Sequence, residues 1–137
     1  MTPKIQFGAR IILGLIYFVF GSMGLAIAVG LMPMPESPMP EAATAFMKGI
    51  MGSGYFFPIL KVTEVVCGLL LLTGRAAPLA LVVIAPVTLH IILFHAFLTP
   101  GVSNLVLPLV MVLAQVVAMS AYWNVYRLLF AKHAKYG

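Results

Sequence analysis

Four side chains in this sequence have the chemistry for proton transfer or ligand binding, and all four stand in apolar runs. Lys61 and Glu64 lie three residues apart in YFFPILKVTEVVCGLLLLT, and His90 and His95 lie five apart in APLALVVIAPVTLHIILFHAFL. One helical turn separates Lys61 from Glu64, so the pair can neutralise itself. Glu64 and His90 are the candidates for general acid–base work, because a carboxylate or an imidazole exchanges protons near neutral pH. Lys61 has the charge to stabilise a developing anion or to contact an anionic ligand. No metal site is expected. His90 and His95 project about 140° apart on a helix, and two imidazoles with one carboxylate leave a ligand set incomplete. Cys67, one turn past Glu64, is the single cysteine; with no second thiol for a bridge or a CxxC relay it reads as a small hydrophobe.

The surroundings of these residues set the class of protein. Of 137 residues, 63% are hydrophobic and 8% are charged, and the mean hydropathy is +1.12. A soluble domain carries about a quarter charged residues. Too few charges remain to solvate a surface, which excludes soluble, disordered and nucleic-acid-binding proteins, and one cysteine excludes a disulfide scaffold. The chain reads as all-α and embedded in a lipid bilayer.

A spanning helix needs roughly 20 apolar residues. Four stretches qualify, at 11–32, 55–73, 77–98 and 104–126. Thr73-Gly74-Arg75 and Thr99-Pro100-Gly101 are links short enough to force antiparallel neighbours, so one antiparallel four-helix domain is expected over 1–137. Between the first two spans PMPESPMP is too rich in proline for helix. EAATAFMKGIM, 41–51, follows it with Ala43, Phe46, Met47, Ile50 and Met51 at amphipathic spacing, the pattern of a short helix lying on the surface or capping the bundle. Lys4, Arg10, Arg75, Arg127, Lys132 and Lys135 gather on one side and Lys48 on the other. That bias places both termini in the cytoplasm and the 41–51 helix outside it. Ala26-Ile27-Ala28 has the form of a signal-peptidase site, but the apolar run continues to Met32, longer than a signal core, so the segment is expected to stay as an anchor. Tyr122, Trp123 and Tyr126 form an interfacial belt, and Pro86 is expected to bend the third span.

The second span is the energetic anomaly. Its eleven Leu, Ile, Val and Phe residues contribute roughly −5 kcal/mol to insertion, whereas Lys61 and Glu64 together oppose it by about 5 to 7 kcal/mol. The charged face must therefore turn into the bundle. Counting a uniform rise from the cytoplasmic end puts Lys61, Glu64, His90, Gln115 and Ser22 within roughly two turns of depth, with His95 higher. A polar pocket lined by Lys61, Glu64, His90 and His95 in the outer half is the expectation. Gly14, Gly21 and Ala28, with Gly24 beside them, form a small-residue stripe suited either to a neighbouring helix or to a dimer seam.

The runs GYFFPILKVTEVVCGLLLLTGRAAPLAL at 54–81 and IAPVTLHIILFHAFLTPG at 84–101, with FGSMG at 20–24, resemble the DoxX family of small bacterial membrane proteins. The order Glu64, Gly68, Arg75 is part of the resemblance, which covers about Arg10 to Arg127. It implies a four-helix bundle of the bacterial inner membrane and an association with redox chemistry, involving a quinone or a small sulfur compound. In that setting the pocket would use His90 or Glu64 for proton transfer and Lys61 for charge stabilisation, with electrons from a partner subunit. Two other classes stay open: a non-enzymatic module that binds or transports a small or lipid-like molecule, and a structural subunit of a larger complex or homo-oligomer.

Overall fold

The computed structural model describes residues 2–34 and 38–131, and every regular element among them is helical. The helices are α1 (Pro3–Ala28), α2 (Glu41–Gly52), α3 (Phe56–Thr73), α4 (Ala77–Phe97), α5 (Val102–Ser120) and the single turn α6 (Trp123–Tyr126), followed by a 3-10 turn at Arg127–Phe130. Four of them, α1, α3, α4 and α5, are long and apolar enough to cross a membrane. The protein is a multi-pass four-helix bundle. Lys132 and Lys135, counted in the charge bias, and part of the PMPESPMP segment lie outside the described residues.

Two spans differ from their expected bounds, each for a local reason. α1 begins at Pro3 rather than Ile11, because Thr2 caps it by accepting from the Ile5 amide at 3.4 Å and Pro3 supplies a ready first turn. It ends at Ala28 rather than Met32. Gly30 turns left-handed (φ +83°), and the Leu31 and Gly30 amides bond back to the Ala26 and Ile27 carbonyls at 2.8 and 3.2 Å. The last span stops at Ser120 rather than Tyr126, and the chain folds over so that the Tyr126 hydroxyl donates to the Pro78 carbonyl at 2.6 Å. Burial and the neighbouring Tyr122 push the Tyr126 phenol up to about 12, so it remains a donor.

Around the bundle α1 neighbours α3 and α5, and α4 neighbours the same two. The largest fully buried side chains are Tyr17, Leu13, Leu71, Leu81 and Ile84. All but Tyr17, which sits at mid-depth, lie in the half nearer the start of α1 and the α3–α4 turn. Outward faces carry Ile12, Leu15, Val66, Leu113 and Val116, as a lipid-facing surface requires. A polar strut crosses the middle. The Tyr17 hydroxyl bonds Thr88 Oγ1 on the diagonally opposite helix, Thr88 donates to Gln115 Oε1 at 3.0 Å, and Gln115 Nε2 donates to the Leu81 carbonyl at 2.8 Å. Each of these buried groups is bonded, so none carries the penalty of an orphan in hydrocarbon.

The tightest joint is between α1 and α3. A Cβ on Gly68 would stand 2.6 Å from the Phe18 amide nitrogen and 2.9 Å from the Gly14 carbonyl oxygen; one on Gly14 would stand 3.0 Å from Leu71 Cβ. Gly14, and with it Gly21 and Gly24 of the stripe, is thus consumed inside the chain against α3. Gly68→Ala should lose about 1–3 kcal/mol of stability through backbone displacement. Gly8→Ala, where nothing lies within 4 Å, should lose none; thermal unfolding in detergent compares the two.

Candidate functional site

The charged pair owes its position to the same stripe. Glu64 faces α1 over Gly21, whose missing Cβ would lie 2.9 Å from Glu64 Cβ. Lys61, one turn earlier on α3, lies along Gly24, whose Cβ would meet Lys61 Cδ and Cε at 2.5 Å. Lys61 Nζ stands 2.9 Å from Glu64 Oε2, and that buried oxygen has no hydrogen-bond partner beyond the ion pair. The side chains are 18% and 4% exposed, respectively. Lys61 therefore looks outward from the pair while Glu64 is shut in. The ammonium also lies 5.3 Å from the centroid of the Phe57 ring, a cation–π contact.

What Lys61 looks into is a cleft. α3 and α4 pack closely where the Gly74 turn joins them, through Leu71, Ala77, Ala80 and Leu81, but beyond Thr88 no residue of α4 is fully buried. Between them, under α2, lies a cavity of about 730 Å³. Leu60, Lys61, Val87, His90, Phe94 and His95 form its inner walls, with Phe46, Met47 and Ile50 of α2 above. α2 is held there by Ala43, which is buried, and by Phe46, whose ring centroid lies 5.6 Å from that of Phe94. Ser53 starts α3 by accepting from the Phe56 amide at 3.1 Å, which ties the end of α2 to the mouth of the cleft.

Of the four predicted site residues, Lys61, His90 and His95 line the cavity and Glu64 does not; it sits behind Lys61 against α1. His90 is exposed and borders a second, smaller depression of about 190 Å³ with Phe46, Leu93, Phe94, Phe97 and Leu98. His95 Nδ1 lies 2.8 Å from the Ile91 carbonyl. As an Nδ1–H donor to that oxygen, the ring keeps Nε2 as a free acceptor. Gln115, at similar depth by residue count, belongs instead to the central strut. Cys67 is buried and free. Among the described residues no three His, Cys, Asp or Glu side chains gather closely enough to hold a metal ion. The contribution of α2 to the walls went unread in the sequence, although its amphipathic spacing marks the apolar face that covers the cleft.

Chemically, the cleft offers apolar walls, an ammonium already balanced by a carboxylate, and two imidazoles. No family model, curated protein or solved structure matches the chain. Lys61→Met alone strands a buried carboxylate and should lower stability on the order of 3 kcal/mol, whereas Lys61→Met combined with Glu64→Gln should recover most of it. Denaturation midpoints of the two variants check this, and equal losses would mean that the pair is not coupled.

Proposed function

We propose that the chain is a redox-associated protein of the bacterial inner membrane that holds a neutral, lipid-soluble ring compound, a quinone or its quinol, in the cleft between α3 and α4. The carrying observation is a cavity of about 730 Å³ whose walls are apolar except for Lys61, His90, His95 and a few groups at its mouth. That volume suits a drug-sized molecule. A quinone presents carbonyl acceptors on an apolar ring, and Lys61 and His90 supply donors; a quinol presents hydroxyl donors, and His95 Nε2 supplies an acceptor. Because Glu64 already balances Lys61, a neutral headgroup fits better than a small sulfur anion, which needs several unshared donors. On quinol oxidation to quinone, one hydroxyl proton would go to His90 at the cleft and the other, by way of Lys61, to Glu64, with the two electrons leaving to an acceptor in a partner subunit. The resemblance to the DoxX family supports the redox assignment, and the Lys and Arg bias supports cytoplasmic termini.

A second reading, a non-enzymatic carrier of a lipid-like molecule, draws on the smaller depression beside His90, whose apolar walls would take a hydrocarbon chain. Titration of the purified protein with a short-chain quinone, followed by ligand-induced thermal shift, tests the site. His90→Ala and Lys61→Met (with Glu64→Gln) should each weaken binding roughly tenfold, the loss of one hydrogen bond to a buried group. Val116→Ala, on the lipid face of α5, should bind as the parent does. Quinone binding without redox turnover in native membranes favours the carrier; absence of binding sinks both.

A further inference from the structure

At the end of the bundle opposite the cleft, a guanidinium is held with no anion beside it among the described residues. Arg10 is part-buried, its Nη1 reaches the Tyr122 hydroxyl only at 3.5 Å, and its Nε is buried with no hydrogen-bond partner. It lies on the joint between α3 and α4: a Cβ on Gly74 would stand 2.8 Å from Arg10 Nη1. The Phe7 ring, 5.0 Å from the guanidinium carbon, covers another side. An arginine cannot shed its charge, and a desolvated cation needs a counter-charge.

Among the described residues no carboxylate is placed to provide one. The sequence has 3 acidic residues, Glu36, Glu41 and Glu64. Glu41 opens α2 at the other end, and Glu64 is paired with Lys61 about 15 Å up α3 from Gly74 at helical rise; Glu36 lies outside the described residues. More positive charge collects at the same turn. Arg75 follows Gly74 and is exposed; Arg127, also exposed, follows Tyr126, which is pinned to Pro78 in the first turn of α4. Trp123 is exposed one turn before Arg127, an aromatic at the level where headgroups meet acyl chains.

We infer that Arg10, with Arg75 and Arg127 around the α3–α4 turn, holds the phosphate of an anionic membrane lipid. The helix ends suit these side chains to headgroup depth, where such a lipid supplies the counter-charge that the described residues do not, and the guanidinium fork matches phosphate oxygens. The site is independent of the cleft, and the outcome of the quinone experiment does not bear on it.

Protein in nanodiscs of phosphatidylcholine mixed with phosphatidylglycerol, released and weighed by native mass spectrometry, gives the ratio of the two lipids retained. The expectation is enrichment of phosphatidylglycerol by about fivefold or more, the worth of one interfacial arginine, falling toward the bulk ratio in Arg10→Gln. Should Arg10→Gln not fold, the double variant Arg75→Gln and Arg127→Gln, both on exposed residues, should lower the ratio instead. A ratio equal to that of the bulk lipid in the parent, or one unchanged in the variants that fold, overturns the proposal. So does equal stabilisation by inorganic phosphate in neutral detergent, which would assign the site to a soluble phosphate compound.

Discussion

Hydrocarbon gives two helices no solvent-driven reason to meet, so the close approach of α1 and α3 has to come from shape. Gly14 and Gly68 let the two backbones touch, and within that contact each further glycine of α1 makes room for one group of α3. Gly21 accommodates Glu64, and Gly24 accommodates the stem of Lys61. The ion pair is therefore set by a helix contact as much as by its own attraction. A side chain at position 24 would push the flexible lysine stem aside and shift the ammonium relative to its partner and the cleft. Packing and chemistry share one set of residues here.

That sharing explains which parts were legible in the sequence. Spans were readable because hydropathy summed over about 20 residues is insensitive to local detail. Their ends were not, since Thr2 and Gly30 act through caps and turns that hydropathy does not register. Lys61 and Glu64 stood out as charges in an apolar run, and the glycine stripe stood out as small residues, yet nothing in either pattern says that the two belong to one contact. Depth could be counted from helical rise, but azimuth could not. Glu64 and Gln115 share a layer with Lys61 by count, while one faces α1 and the other the central strut. The cleft itself depends on how far α3 and α4 part beyond Thr88, a property of tertiary packing that one sequence does not carry.

The two ends of the bundle consequently differ in character. Near the termini, fully buried Leu13, Leu71, Leu81 and Ile84 and the bonds of Tyr126 and Arg10 close the structure. Toward α2 the interior is an apolar space walled by aromatic rings, with few polar atoms, of which Lys61 Nζ and His95 Nδ1 are already engaged. A neutral, greasy molecule of the proposed kind would suit such a space, and the exposed imidazole of His90 stands on its flank.

The Tyr17–Thr88–Gln115 strut divides α4 mechanically. Up to Thr88 the helix is clamped from across the bundle; the nine residues from there to Phe97 carry no such cross-bundle hydrogen bond among the described residues, and Pro86 near their root removes one of the bonds that would stiffen them. Their far end is tethered by the link to α5 and by the contact of Phe94 with Phe46. The stretch of α4 that walls the cleft is therefore held at its two ends and unbraced between them, whereas the other half of the helix is braced along its length.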